Sequence, residues 1–324
     1  PKKIFVTGGA GYVGGILIPR LLQDGHSVTV LDLMIYGEEV LPNNVNLKAI
    51  KGDIRDQSVL RDLIPGHDIV IHLACISNDP SFEMNPDLGK SINLDAFRPL
   101  VEISRDNFVE RFIYASSSSV YGVKEEPNVH EEMSLEPLTD YSIFKADCEK
   151  ILLQSKDFTT ITIRPATVCG YSPRQRLDVV VNILTNLAFH KREITIFGGS
   201  QLRPNIHIKD MAEAYISLIN APKEKVAGEI FNAGYENHSV RQIGEMVKEA
   251  IGQDVVLKTV PTDDNRSYHV SSEKIKKVLG FTATNTIRDA CLELKHAFET
   301  GLLPNSLEDE LYFNIKRMQS LDMK

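Results

Sequence analysis

Tyr141 and Lys145 stand four residues apart, following Pro137-Leu138-Thr139-Asp140, and would share one face of a helix a single turn apart. A phenol beside an ammonium ionises more readily, so Lys145 would bring Tyr141 toward neutrality and make it a proton acceptor. Spacing alone is weak evidence, because Tyr312 and Lys316 repeat it with no other motif near them and read as an ordinary helix surface. The first pair is set apart by Ser116-Ser117-Ser118-Ser119, which closes the strand-like run Phe112–Ala115 upstream. A hydroxyl from that cluster could share a substrate oxygen with Tyr141.

A second set of residues calls for a phosphate. Thr7-Gly8-Gly9-Ala10-Gly11-Tyr12-Val13-Gly14 places glycines at 8, 11 and 14 between a strand and a helix. Gly8 permits the tight turn, Gly11 lets the backbone approach a pyrophosphate, Gly14 allows close helix packing, and the helix N-terminus attracts negative charge. Asp32 ends the second strand 24 residues beyond Gly8, where a carboxylate meets the adenosine ribose hydroxyls of a dinucleotide. That carboxylate favours NAD over NADP, since it repels a 2′-phosphate and Leu33-Met34-Ile35 offers no arginine to receive one. Lys145 would then also bond the nicotinamide ribose.

These residues need a scaffold, and the first half of the chain supplies one. Apolar, β-branched runs at 4–6, 27–31, 47–50, 68–73, 111–114 and 160–163 alternate with candidate helices at about 11–24, 56–64, 90–107 and 140–155. Continuous apolar runs suit strands buried on both faces, and the alternation predicts an α/β fold, a Rossmann-type doubly wound parallel sheet. After Gly170 the texture changes, with Tyr171-Ser172-Pro173-Arg174-Gln175-Arg176, a helix, and the strand Ile194–Phe197 before Gly198-Gly199. Glu229–Asn232 reads as a strand that returns to the first sheet. The expected division is 1–170 for NAD, with a return over about 204–235, and 171–203 with 236–324 as a smaller, mostly helical substrate domain.

The 324 residues include 44 acidic against 36 basic side chains, a net charge of −8 with no basic stripe, so nucleic acid is excluded as a partner. No segment approaches the roughly 18 apolar residues of a membrane span, and Ile4-Phe5-Val6 is too short for a secretory core, so a cytoplasmic protein with no membrane partner is expected. Cys75, Cys148, Cys169 and Cys291 are widely spaced and suggest neither a disulfide framework nor a metal site.

Taken together, these motifs resemble the extended short-chain dehydrogenase/reductase family, in particular its nucleotide-sugar epimerases and dehydratases. The resemblance runs through the glycine loop, Gly52-Asp53-Ile54, His72-Leu73-Ala74, Asn93, Ser116–Gly122, the Tyr141/Lys145 pair, Arg164-Pro165 and Arg203–Asp210. It implies that Asp53 and Ile54 meet adenine, that Leu73 and Ala74 line the cofactor, and that Ser117 is the catalytic hydroxyl. It further implies that Arg203 binds the nucleotide pyrophosphate, with Asn182 and Arg266 as further nucleotide contacts. Arg174 and Arg176 either do similar work or only cap their loop. His207 and Asp210 read as a structural pair, and Cys75 as small apolar packing.

Departures from the family pattern narrow the chemistry. The 4,6-dehydratases carry Asp-Glu after the catalytic threonine, where this chain has Ser118 and Ser119. The stretch Cys75–Pro80 is unusual, so Ser77, Asn78 and Ser118 are expected to face the sugar. The resulting expectation is an NAD-dependent nucleotide-sugar epimerase acting at C4, as a homodimer through the helices at 90–107 and 140–155. A 4-dehydrogenase or dehydratase of the same family and a non-catalytic NAD-binding sensor are the alternatives.

Overall fold

The computed structural model describes all residues except Asn78, Asn265 and Arg266, and describes Asp79 without its side chain. Along the chain run β1 (Lys3–Thr7), α1 (Gly14–Gln23), β2 (Ser27–Asp32), β3 (Leu47–Lys51), α2 (Gln57–Leu63), β4 (Ile69–His72), α3 (Asp79–Met84), α4 (Pro86–Lys90), α5 (Phe97–Asp106), β5 (Arg111–Ala115), α6 (Asp140–Gln154) and β6 (Thr159–Pro165). The remainder comprises β7 (Thr167–Cys169), α7 (Val180–Lys191), β8 (Glu193–Phe197), β9 (Leu202–His207), α8 (Ile208–Asn220), α9 (Lys223–Val226), β10 (Glu229–Ala233), β11 (Glu236–Ser239), α10 (Val240–Ile251), β12 (Val256–Val260), α11 (Glu273–Leu279), α12 (Ile287–Glu299) and α13 (Asn314–Leu321).

Seven parallel strands form one sheet in the order β10-β6-β5-β4-β1-β2-β3, a Rossmann-type sheet flanked by helices. Alternation along the strands explains the two layers. Ile4, Val6, Val28, Val30, Ile69 and Ile71 face α1 and α8, whereas Phe5, Leu31, Val70, Phe112 and Tyr114 face the opposite layer with Leu60, Leu100 and Leu152. Because both residue sets are apolar, both faces must be covered, and the right-handed crossovers that parallel strands require supply the cover.

The strand Glu229–Ala233 does return to the sheet, pairing with β6. In two places the structure departs from the alternation. The run at 47–51 is the sheet's outer edge rather than a strand buried on both faces, and its Lys48 and Lys51 point to solvent, which discourages edge pairing. The helix expected at 90–107 is broken into α4, a π-helical turn at Ser91–Asp95 and α5. The turn lets Asn93 reach the loop after β4, where its amide both accepts from Ile76 N (2.8 Å) and donates to Ile76 O (3.0 Å).

Outside the sheet, β7, β9 and β11 form a small mixed sheet and β8 pairs with β12. Thus β9 stays outside the main sheet, and the return from it to β10 passes through α8, which packs against α1. No helix among the described residues is long and apolar enough to cross a membrane.

Candidate functional site

One cleft of about 490 Å³ opens at the C-terminal ends of the strands. This is where ligands bind in open α/β sheets, because the loops there splay apart at the change of strand order. Gly8, Gly11, Tyr12, Val13, Gly14, Asp32, Asp53, Ile54, Leu73, Ala74, Ser77, Ser117, Ser118, Tyr141, Lys145 and Arg203 all line it. Asn182 does not, and Asn78 and Arg266 lie outside the described residues.

The glycine turn is built so tightly that side chains are excluded. Gly8 has φ +71°, and a Cβ there would come within 2.6 Å of Ala74 N, while one on Gly14 would sit 2.0 Å from Gly9 O. The Asp32 carboxylate accepts from Ala10 N (3.0 Å) and Met34 N (2.8 Å) at the end of β2. Burial raises its pKa, opposed by those two amides and by the charge on Arg174. Asp53 would also be raised by burial, but bonds from Arg55, the closest at 2.6 Å, prevail and hold the carboxyl below its ordinary value.

The Tyr12 hydroxyl is turned away from any ligand. It donates to Gly170 O (2.6 Å) and accepts from Asn182 Nδ2 (3.1 Å), and burial pushes its pKa far up. Asn182 is itself fully buried, and its remaining bonds go to Gly170 N and Arg176 O. The side chain expected to contact a nucleotide therefore has its polar atoms engaged inside the protein, where they fix the 170–176 loop.

At the other end of the cleft, α6 begins at Thr139, whose hydroxyl accepts from Ser142 N (3.3 Å) as the helix cap. Lys145 is 4% exposed, donates to Ala115 O (2.8 Å) at the end of β5, and lies 5.8 Å from the Tyr141 ring centre. The Tyr141 ring packs edge-on against Phe82. The ammonium is thus held by a strand-end carbonyl and kept beside the phenol.

The serines form a relay of hydroxyls rather than a bare turn. Ser117 Oγ lies 2.8 Å from Ser119 Oγ, which accepts from Ser142 Oγ (2.9 Å), which in turn accepts from Thr139 Oγ1 (3.1 Å). Ser117 is fixed as well by accepting from Ser119 N (3.1 Å). Helix α6 and the serine turn are therefore joined by side chains from both. Ser116, next in line, donates to Glu149 (2.5 Å), which forms a buried ion pair with Arg164 (2.6 Å).

His72 is neutral, since burial pushes its pKa down to about 3. It pairs with Thr7 Oγ1 (2.6 Å), which also accepts from Ala74 N (3.2 Å) and so orients the loop after β4 that lines the cleft. Arg203 meets Asp264 (3.2 Å) and lies over the Tyr268 ring. His207 and Asp210 are both scaffolding, though not as a pair. His207 bonds Glu293 (2.6 Å) and caps α8, while Asp210 accepts from the backbone at Thr284 and Asn285. Cys75 lines the cleft half-buried, and the other three cysteines are buried.

Sequence reasoning missed Tyr36, Tyr268, Asn314, Met318 and Met323, which also line the cleft. No spacing rule could have found them, since Asn314, Met318 and Met323 come from the far end of the chain.

A sequence model of the NAD dependent epimerase/dehydratase family matches residues 4–234. The chain belongs to this family. It is 30% identical to the protein named "Uncharacterized UDP-glucose epimerase YtcB" of Bacillus subtilis, over 89% of this chain and 95% of that one. It is 29% identical to dTDP-D-glucose 4,6-dehydratase of Homo sapiens, over 85% and 83% of the two chains. Among solved structures, MoeE5 in complex with UDP-glucuronic acid and NAD superposes with a TM-score of 0.81 at 27% identity, covering 92% of this chain and 99% of that one. The glycine turn, the strand-end Asp32 and the Tyr141/Lys145 pair fit the NAD that gives the family its name.

Proposed function

We propose that the chain is an NAD-dependent nucleotide-sugar epimerase acting at C4 through a transient 4-keto sugar. The main sheet would hold NAD, and the segments 171–203 and 236–324 would supply most of the grip on the nucleotide sugar. The observation that carries the reading is the placement of carboxylates. Among the described residues lining the cleft, the only ones are Asp32, Asp53 and Asp178. Asp32 is bonded by two amides, Asp53 by Arg55 and Asp178 by Arg176, and among the described residues no hydrogen bond joins any of the three to the serine turn. Removal of water needs an acid and a base beside the sugar, and Ser118 and Ser119 supply neither.

In this mechanism Tyr141 removes the proton from the C4 hydroxyl and Ser117 holds the oxygen. Lys145 favours the phenolate and, held by Ala115 O, keeps its place through the cycle. NAD held by the glycine turn and Asp32 would supply the reversible hydride acceptor for the sugar carbon. Once the 4-keto sugar has presented its other face, Tyr141 returns the proton to the C4 oxygen.

Incubation with a panel of nucleotide sugars, with products read by NMR and NADH by its absorption, tests the reading. A C4 epimer with no net NADH is expected. Stoichiometric NADH release would replace it with a 4-dehydrogenase, and a 4-keto-6-deoxy product would overturn it in favour of dehydration. No turnover and no NADH signal with any member would favour a binding protein.

A further inference from the structure

The loop Ser172–Asp178 lies directly across the glycine turn. Ser172 Oγ donates to Tyr12 O (2.7 Å), and a Cβ on Gly15 would come within 2.6 Å of that hydroxyl and 3.4 Å of Arg174 N. From this loop Arg174 and Arg176 project into the cleft, 3% and 9% exposed. Arg174 donates to Gln175 O (3.2 Å) and Asn314 Oδ1 (2.6 Å) and stacks 3.5 Å from the Tyr36 ring centre, so its hydrogen-bond partners are neutral. Arg176 donates to Asp178 (2.8 Å) and Ser77 Oγ (3.3 Å). Arg174 Nε and Arg176 Nη2 are buried and have no hydrogen-bond partner among the described residues.

Arg174 makes no direct ion pair, with Asp32 and Asp178 reaching it only through their fields, and the unpartnered Nε of Arg174 and Nη2 of Arg176 are costly to bury unless an anion completes them. The guanidinium fork matches phosphate oxygens in geometry as well as charge. The position selects which phosphate. Arg174 lies beside the glycine turn and the Tyr36 that follows β2, whereas Arg203 lines the cleft from β9 with Tyr268.

We propose that Arg174 and Arg176 form a second pyrophosphate-binding locus for the dinucleotide, opposite the backbone amides of the glycine turn, and that α13 latches it shut. Asn314 is the latch. Its side chain bonds Arg174 and Ser77 (3.1 Å), and its backbone N–H bonds Asp178 (2.9 Å). Met318 and Met323 extend the same cover over the cleft beside Ile54. A cofactor gripped from both sides exchanges slowly, which suits a reaction that returns its hydride. This inference rests on the NAD reading of the site and deepens it.

The test measures binding, with no turnover required. NAD content per purified chain, and the affinities of NAD, ADP-ribose, adenosine and UDP by calorimetry, are compared for the unchanged protein and for Arg174→Lys, Arg176→Gln and Asn314→Ala. The two arginine variants should each weaken NAD and ADP-ribose by about 10- to 100-fold, as expected for charged hydrogen bonds to phosphate. Adenosine and UDP should change less than about twofold. Asn314→Ala should speed exchange of bound NAD for isotope-labelled NAD while keeping both arginines. A loss of UDP affinity with NAD affinity intact would assign the locus to the nucleotide sugar, and no change in either ligand would overturn it.

Arg174→Lys keeps the charge and removes only the fork, so it tests the locus even if Arg176→Gln unfolds by stranding Asp178. Gly14→Ala separates the two levels of the proposal. If it leaves NAD bound, the cofactor reading of the turn fails. If it abolishes NAD binding while the arginine and Asn314 variants bind and exchange normally, only the clamp fails.

Discussion

Tyr141/Lys145 and Tyr312/Lys316 have the same residue types at the same spacing and opposite outcomes. The first pair sits on one continuous helix, and Lys145 is buried against Ala115 O. The second pair is split between two elements. Tyr312 ends a 3-10 turn at Glu310–Tyr312 and donates to Pro304 O (3.1 Å), while Lys316 belongs to α13 and lies over the Phe313 ring (4.4 Å). A four-residue spacing aligns two side chains only where the helix runs unbroken between them, and it makes chemistry only where the strand ends converge.

The largest difference between the pairs should appear in turnover. Tyr141→Phe removes the proposed proton acceptor, and kcat is expected to fall by about 100- to 10,000-fold with NAD still bound, read by NMR of product and by calorimetry. Near-normal activity would remove the basis for separating the two pairs. Stability should distinguish them next, because α6 is tied to the sheet by Glu149. Glu149→Gln leaves Arg164 buried without its counter-charge and should cost about 3–5 kcal/mol in denaturant unfolding.

A smaller effect is expected where α6 begins. Thr139→Ala removes the helix cap and the outer member of the hydroxyl relay, so about 1 kcal/mol of stability should be lost. If kcat falls further than the stability loss explains, the relay also positions Ser117. The smallest effect belongs to the control pair. Tyr312→Phe deletes one exposed hydrogen bond and should leave kcat unchanged and stability within about 0.5 kcal/mol, and a large loss of activity would mean the second pair does more than its geometry allows.

Legibility in the sequence followed the range over which each feature is built. The glycine turn was legible because the local backbone dictates it: Gly8 adopts φ +71°, and no Cβ fits at Gly14 against Gly9 O. Asp32 was legible because a strand end fixes its place. The breaks in the 90–107 helix were not, since the π turn serves a contact between Asn93 and Ile76 that no local propensity encodes. Asn182 misled for the converse reason. Its position in the chain resembled that of a ligand contact, but the packing of Tyr12 and the 170–176 loop turned its amide inward.

By itself, the sequence determined the parallel sheet, the glycine turn, the place of Asp32 at a strand end and the alignment of Tyr141 with Lys145 on one helix. Each of these follows from alternation, steric exclusion or spacing along a short piece of chain. Tertiary structure alone decided how the serines are linked to α6. It also decided that Arg174, Arg176 and Asn314 converge beside the glycine turn. Those residues lie as much as 140 apart in sequence, and the buried charge they share exists only once folding has removed water from around all of them.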